Sequence, residues 1–221
     1  MLGLGVVGVV TGRDLADLEQ RLLAPLQVRD PTGLTQLLPD GGGFRYYSVT
    51  SRIPTRTAVT YRLRVGGLVE RPETFTLSDL HRLPQTALTR DFQCVTGWRV
   101  RNVAWSGVAL ADLLEQVGVR PGARAVQFTS FDGTYTESLT LEQARRRDVL
   151  VATRMLGKPV TREHGGPVRL YVAPMYGYKS LKWLGGIEVT DAVRPGYWEH
   201  RGYDVDAWVG RSNGQRDAPT A

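Results

Sequence analysis

The sequence predicts an α+β protein built on a mixed sheet. Strand-like segments outnumber helix-like ones, and their connections are often long. The two kinds of segment do not alternate regularly, as they would in a doubly wound parallel sheet. The 221 residues, of which 42% are hydrophobic and 23% charged, suffice for one domain with its own core.

Residues 1–43 are predicted to form an arm and linker. The run Leu2–Val10 is apolar, but its nine residues fall short of the roughly 20 that a membrane-spanning helix needs. It fits either the remnant of an anchor or a loosely packed arm, which leaves a membrane-tethered, a periplasmic and a cytoplasmic location open. Leucines at helical spacing predict a helix over Asp14–Leu26. Glycines 41–43 then break regular structure, so we expect the main domain over 44–208 and a C-terminal tail over 209–221.

The first half of the main domain contains two predicted strands with a helix between them. Alternating apolar residues predict a half-buried strand over Val59–Val65, ended by Gly66 and Gly67. Ser78–Leu83 is predicted to be a short helix stopped by Pro84. A second strand over Ala87–Thr96 would bring the single cysteine, Cys94, near its end.

The second half begins with the strongest helical pattern of the chain. Val108–Val117 carries one stripe of leucines and a valine, and Gly118 follows as a cap. Thr140 is expected to cap a short arginine-rich helix. Further strands are predicted over Ala125–Phe131, Val149–Thr153, Val168–Ala173 and Ile187–Val189.

Charge and motif content exclude several functions. The net charge of +6 favours an anionic ligand, but the basic residues are scattered rather than gathered on one element, which disfavours a nucleic-acid partner. A single cysteine excludes an internal disulfide and a multi-cysteine metal centre. The chain has no phosphate loop of the Walker type, no GxGxxG after a predicted strand, and no HExxH, paired CxxC or GxSxG motif.

Cys94 is the first candidate functional residue. A lone cysteine is usually an inert buried residue, but Arg99 and Arg101 follow closely, and cations near a thiol favour the thiolate. A thiolate is both a nucleophile and a soft metal ligand. A cysteine hydrolase would also need a histidine, and nothing local pairs Cys94 with any of the three in the chain.

A second candidate site spans His164–Arg169 and Pro174–Trp183. It combines glycines with Arg169, Lys179, Lys182 and three aromatic residues. Glycines let a backbone approach a ligand and offer N–H groups to an anion. The mixture suits a large, planar cofactor that carries a phosphate, although a turn-rich surface with solvated lysines has a similar composition. The chain has only three lysines, and two of them, Lys179 and Lys182, lie within the four residues 179–182 of this candidate site.

Four motifs in order resemble the molybdopterin-binding domain of the sulfite oxidase family. They are Cys94 with its neighbours, Trp105-Ser-Gly-Val, His164 with Arg169, and Lys179-Ser-Leu-Lys-Trp-Leu. The resemblance covers about Phe44 to Trp208 and implies a sulfite oxidase-type mixed-sheet fold. Molybdenum and molybdopterin are the implied cofactors, with Cys94 as the metal ligand. The chain after Trp208 is too short for the immunoglobulin-like C-terminal domain of that family, so we expect a minimal and monomeric catalytic unit.

The same resemblance implies a set of cofactor-binding residues. In the family, the histidine and the arginine five residues later hold the pterin phosphate and its surroundings, and the following loop contacts the cofactor. Transferred to this sequence, the set is Phe44, Arg45, Tyr46, Tyr47, Cys94, Ser130, His164, Arg169, Lys179, Ser180, Leu181 and Lys182.

The substrate implied by the resemblance is sulfite or a sulfoxide. The residues that bind the anion in sulfite oxidases resemble Arg99, Arg45 and Tyr203 of this chain. His164 also follows the sulfite oxidase pattern. Arginines suit a small dianion, because they stay charged and bind oxyanions with two hydrogen bonds. Trp98 instead resembles methionine-sulfoxide reductases, and the family's asparagine–arginine–arginine run after the cysteine is missing. We expect oxidation of sulfite to sulfate, with Cys94, Arg99, Arg45 and Tyr203 as catalytic residues. Electrons would pass to an external acceptor such as a cytochrome or membrane haem protein. A sulfoxide or other S- or N-oxide reductase and a non-catalytic anion- or cofactor-binding module are the alternatives.

Overall fold

A computed structural model describes residues 48–49, 53–97 and 99–219 and confirms the α+β class. Ten strands and three short α-helices lie in this part of the chain. The strands are β1 Leu63–Gly67, β2 Glu73–Phe75, β3 Thr86–Gln93, β4 Arg99–Ala109, β5 Ala125–Ser130, β6 Thr136–Thr140, β7 Val149–Met155, β8 Lys158–Pro159, β9 Arg169–Val172 and β10 Leu184–Thr190. The helices are α1 Leu77–Arg82, α2 Leu110–Val117 and α3 Leu141–Ala144, and two 3-10 helices cover Gly177–Lys179 and Glu199–Arg201.

The strands form two five-stranded sheets. The first has the order β2-β1-β10-β5-β6, in which β1 pairs with β10 in parallel and the other pairs are antiparallel. The second has the order β3-β4-β7-β8, with β9 also paired to β7, and is antiparallel throughout. The predicted mixed sheet is therefore confirmed.

Two buried hydrophobic clusters stabilise the domain. The larger one joins side chains from both sheets to the apolar face of α2, whose Leu110, Leu113, Leu114 and Val117 are almost inaccessible. Burying one leucine of this kind contributes about 1.5–3 kcal/mol. The smaller cluster includes Trp105, and the partly buried Cys94 packs against it. The second sheet therefore holds the cysteine against a rigid core.

Two predicted boundaries differ from the structure for local reasons. Val59 is 81% exposed and lies in a turn, in which the Tyr61 N–H donates to the Thr57 carbonyl at 2.9 Å, so the first strand begins only at Leu63. Val108 and Ala109 remain in β4, so α2 begins at Leu110. The predicted cap Thr140 is confirmed, because its hydroxyl accepts from the Gln143 N–H at 3.1 Å, but the helix ends at Ala144 and contains none of the arginines predicted for it.

Several predictions concern other parts of the chain. The predicted arm, the helix over Asp14–Leu26 and residues Phe44–Tyr47 lie outside the described residues. From β10 to Pro219 the described chain contains no further strand, and thus no immunoglobulin-like sandwich. None of the helices described is long and apolar enough to cross a bilayer.

Candidate active site

Cys94 lies at the start of the tight connection between β3 and β4. Its carbonyl accepts a hydrogen bond from the Gly97 N–H at 3.1 Å, and Gly97 takes a left-handed φ of 100°, which glycine adopts without strain. The Thr96 hydroxyl donates to the Cys94 sulfur at 3.1 Å. A donor at this position favours the thiolate over the thiol. Cys94 is a free and partly buried cysteine, so the connection carries a thiol suited to bind a metal.

Arg99 lies directly opposite the residue that precedes Cys94. Gln93 and Arg99 are paired across β3 and β4, so the Arg99 backbone adjoins the cysteine. The Arg99 guanidinium forms an ion pair with the Asp91 carboxylate, Nε to Oδ2 at 3.1 Å, and both side chains are largely buried. The Asp91 carboxylate also accepts from the Asn102 N–H at 2.9 Å. The charge of Arg99 is thus already balanced by a carboxylate.

Arg169 joins the two segments of the second candidate site, 164–169 and 174–183. Its guanidinium donates to the carbonyl of His164 at 2.7 Å and to that of Ser180 at 2.8 Å. It also lies 5.8 Å from the ring centre of Phe92 and 5.3 Å from that of Trp105. Burial lowers the pKa of Arg169 to about 10, so the side chain still carries its charge at pH 7. Because Phe92 is two residues from Cys94, these contacts bring both predicted clusters to one place.

Lys182 and His164 belong to the same assembly. The backbone of Gly165 packs directly against Lys182. A side chain at position 165 would clash there, because its Cβ would lie only 2.7 Å from the Cβ of Lys182. Burial, assisted by the nearby Arg169, lowers the pKa of Lys182 to about 7. The lysine ammonium also lies 4.7 Å from the ring centre of Trp183. The His164 ring nitrogen Nδ1 shares a hydrogen bond with the Thr161 hydroxyl at 2.9 Å.

Lys179, by contrast, is buried among carboxylates. Its ammonium donates to Oε1 of Glu137 and, at 2.8 Å, to Oε1 of Glu199. All three side chains are almost inaccessible. Burial raises the pKa of Glu137 to about 8, against the opposing attraction of Lys179. The predicted contact of Lys179 with the cofactor stays a prediction, since its described donors are directed to these acids.

The remaining predicted residues have structural contacts. Ser180 is buried, and its hydroxyl accepts from the Val172 N–H at 3.0 Å. The Leu181 side chain belongs to the larger core cluster. Ser130 accepts from the Tyr135 N–H at 3.0 Å in the turn after β5. Tyr203 packs edge-on against Tyr178, with ring centres 5.4 Å apart.

Asp217 lies near Cys94 and had no signal in the sequence. The Asp217 carboxylate accepts from the Tyr176 hydroxyl at 3.0 Å and from the Gln93 side-chain amide at 3.4 Å. The Gln93 amide also donates to the Cys94 carbonyl at 3.2 Å. Asp217 is separated by 124 residues from Gln93 and by 41 from Tyr176, so no local pattern could have revealed the contact.

The donor set fits a molybdenum–molybdopterin cofactor. Such a group needs a soft ligand for the metal, which the free and partly buried Cys94 provides. It also needs a cation for its phosphate, and the partly buried Lys182 beside Arg169 fits that requirement. An anion there would relieve the burial and like-charge repulsion that lower the Lys182 pKa. Phe44–Tyr47 and Trp98 lie outside the described residues.

Comparison with known proteins decides the family. The profile of the oxidoreductase molybdopterin binding domain matches residues 50–198, which is most of the chain. The chain belongs to this family. It is a molybdopterin oxidoreductase of the sulfite oxidase and methionine-sulfoxide reductase group, and molybdenum with molybdopterin is its cofactor.

Relatives in this family differ in their reactions. The uncharacterized oxidoreductase YuiH of Bacillus subtilis is 36% identical over 67% of this chain and 75% of its own. Sulfite oxidase of Arabidopsis thaliana is 33% identical over 66% of this chain, and the putative protein-methionine-sulfoxide reductase subunit YedZ1 of Azospira oryzae is 30% identical over 95%. The sulfane dehydrogenase SoxCD of Paracoccus pantotrophus has a similar structure, with a TM-score of 0.64 and 28% identity over 70% of this chain.

The lengths of these relatives also differ from that of this chain. The matched region spans 46% of the Arabidopsis enzyme and 44% of the SoxCD chain, but 84% of the YedZ1 protein. The family assignment therefore rests on the shared catalytic domain.

Proposed function

We propose that this chain transfers an oxygen atom at sulfur, in the direction that reduces a neutral sulfoxide. The observation that carries the proposal is the state of Arg99. Its charge is balanced by Asp91, and its terminal nitrogen donates to the carbonyls of Ala218 at 3.0 Å and Pro219 at 2.9 Å. The arginine that the sequence assigned to sulfite is thus already occupied.

The two substrates differ in charge. Sulfite is an anion at neutral pH, present as both the monoanion and the dianion, so a site for it is expected to offer cations that are not already paired. Around Cys94, Arg99 is matched by Asp91, and Asp217 adds a further carboxylate beside Gln93. A sulfoxide carries no net charge and needs only hydrogen-bond donors and apolar walls. The pairing of Arg99 therefore supports the neutral substrate over the sulfite expected from the sequence.

The relatives include proteins of both kinds, so similarity is compatible with the proposal and does not choose the substrate. The relative named as a putative methionine-sulfoxide reductase subunit aligns with 95% of this chain, whereas the plant sulfite oxidase aligns with 66%. The methionine-sulfoxide reductase catalytic subunit of Ralstonia nicotianae is 32% identical over 66%.

The overall reaction takes up two electrons and two protons for each sulfoxide and releases the sulfide and water. The bound cofactor supplies the exchange of the oxygen atom. We assign Cys94 to hold the metal, with Thr96 stabilising the thiolate, Lys182 to hold the phosphate, and Arg169 to keep the segments around His164 and Ser180 in place. Residues 44–208 form the catalytic domain in this proposal. A cytochrome or membrane haem protein would deliver the electrons one at a time.

Sulfite oxidation is the second candidate, and one observation favours it. Arg99 lies opposite Gln93 and next to Cys94, where a cation would reach a small anion if its present partners moved away. Electrons would then flow in the opposite direction, from sulfite to the haem partner.

Two measurements on the purified protein test the proposal. Elemental analysis should find close to one molybdenum per chain. Steady-state assays should show turnover of methionine sulfoxide with reduced viologen, and a much lower kcat/KM for sulfite with ferricyanide. Cys94→Ser should abolish turnover because a hard alkoxide replaces thiolate poorly as a molybdenum ligand. Turnover of sulfite alone would refute the sulfoxide proposal, and absence of metal from a molybdopterin-producing host would refute the site assignment.

A further inference from the structure

Residues Gln215–Pro219, which we call the strap, lie over the connection that carries Cys94. Asp217 bridges two elements of the site, since it accepts from Gln93 next to the cysteine and from Tyr176 in the cofactor-binding segment. The Tyr176 hydroxyl in turn accepts from the Gly210 N–H at 3.3 Å. Burial raises the pKa of this hydroxyl to about 12, so it remains a donor to Asp217 throughout the neutral range.

The strap also covers Arg99. Two consecutive strap carbonyls, those of Ala218 and Pro219, accept from the same terminal nitrogen of the guanidinium. Together with the ion pair to Asp91, these contacts leave the Arg99 side chain 14% exposed. An anion that approached this guanidinium would have to displace the two carbonyls, and it would meet the Asp217 carboxylate beside them.

We propose that the strap is a specificity-determining element, in which the carbonyls of Ala218 and Pro219 mask Arg99 and Asp217 repels anions. With the strap in place the site admits a neutral sulfoxide and rejects sulfite and sulfate. This inference rests on the proposed function for its meaning in catalysis. The masking of Arg99 itself is a statement about anion binding and can be tested without turnover.

The test measures binding of inorganic sulfate to the holoprotein by isothermal titration calorimetry. The bound cofactor then occupies the cation assigned to its phosphate, and the Arg99→Gln variant described below separates binding at Arg99 from binding at other cations. A chain shortened after Gly214 should bind sulfate at least about tenfold more tightly than the full chain, because charge-assisted hydrogen bonds to Arg99 become available. Equal sulfate affinity in the two proteins would overturn the proposal.

The Arg99→Gln substitution tests whether the gain in sulfate affinity depends on Arg99. In the shortened chain this substitution should remove the gained affinity, whereas in the full chain it should change sulfate binding less than twofold. A gain that survives Arg99→Gln would place the anion elsewhere and would also overturn the proposal.

Asp217→Asn provides a test that does not depend on the shortened chain folding. The amide keeps the size and one acceptor of the carboxylate but removes its charge, so sulfate should bind about two- to fivefold more tightly. Asp191→Asn makes the same change in net charge at an exposed position and is the matched control. Equal affinities in these two variants would show that Asp217 does not repel anions.

Steady-state kinetics then connect the strap to specificity. In the shortened chain and in Asp217→Asn, KM for sulfite should fall while KM for methionine sulfoxide changes less than twofold. If sulfate binding responds as expected but no variant turns over either substrate, the proposed function fails and the masking stands. If the full chain reduces the sulfoxide and sulfate binding never responds, the function stands and the strap proposal fails.

Discussion

The cluster of Glu137, Lys179 and Glu199 makes a quantitative prediction about stability. Two carboxylates share one ammonium in a place that water does not reach. Oε2 of each glutamate has no hydrogen-bond donor among the described residues, and a single proton held between the two oxygens would satisfy both. Burial raises the pKa of Glu137 from its ordinary 4.5 to about 8. The folded protein therefore retains a proton at pH 7 that the unfolded chain has released.

The sign and size of the effect follow from proton linkage. A carboxyl whose pKa is raised by folding contributes stability that is complete below the unfolded pKa of 4.5 and is lost as pH rises through the folded pKa of about 8. At about 1.4 kcal/mol for each unit, the upper limit of the loss is on the order of 5 kcal/mol over this window. The fall is steepest between the two pKa values, where the folded state binds one proton more.

Glu137→Gln isolates this contribution. The amide imitates the protonated acid, because it donates to Glu199 and still accepts from Lys179, but it does not titrate. Free energies of unfolding should be measured by urea denaturation at several values between pH 5 and pH 8.5. The stability of the wild-type protein minus that of Glu137→Gln should fall steadily as pH rises. Glu115→Gln, an exposed substitution on α2, is the control and should run parallel to the wild type. A constant difference between wild type and Glu137→Gln would refute the reasoning.

Three further predictions concern Lys182, Arg169 and the helix cap Thr140. Burial lowers the pKa of Lys182 to about 7, so loss of molybdopterin on dialysis should accelerate as pH rises from 6 to 9. Lys182→Arg should weaken this pH dependence, because arginine stays charged over that range. If the variant and the wild type have the same pH profile, Lys182 does not contact the phosphate. Arg169→Lys breaks the hydrogen bonds to two carbonyls, so the free energy of unfolding, measured by urea denaturation, should fall by about 2–4 kcal/mol. The molybdenum content of the purified protein should fall as well. Full retention of the metal would contradict the proposal that Arg169 holds the two segments together. Thr140→Ala should destabilise by about 1 kcal/mol in the same assay with metal content unchanged, because it removes only a helix cap.

The spacing of apolar residues predicted those helices and strands that bury one face and expose the other. The leucines of α2 lie on its buried face. Gly118 is the C-cap of the helix and has a φ of 70°, which glycine adopts without strain. The predicted strands over 125–131, 149–153, 168–173 and 187–189 correspond to β5, β7, β9 and β10, with shifted ends. Strands β2, β6 and β8 were too short, or too polar in sequence, to be recognised.

Strand β4 was missed for a different reason. The β3–β4 register shifts between Arg90 and Phe92, and Asn102 takes a left-handed φ of 54°. Such a bulge interrupts the alternation of buried and exposed side chains on which a strand prediction depends. The bulge also leaves Asp91 in position to bind both the Asn102 N–H and Arg99. The irregularity that hid the strand is thus what positions a carboxylate beside the cysteine.

The site itself was only partly accessible to sequence reasoning. Single motifs indicated Cys94, Arg169 and Lys182, because each stands in a local context of glycines and cations. The partners that set their charge, Asp217 above all, come from distant parts of the chain. The same holds for Glu137 and Glu199, whose meeting around Lys179 depends on the packing of a strand against a 3-10 helix.

The parallel pairing of β1 with β10 has a consequence for biogenesis. Leu63–Gly67 must wait for Leu184–Thr190 to leave the ribosome before the first sheet can be completed. Contacts so distant in sequence form slowly, and the edges left open meanwhile invite association with other chains. The segment 174–183 is synthesised immediately before that last strand. The first sheet and the segment 174–183 therefore become available for packing at nearly the same moment of synthesis, well after the strand that opens the sheet.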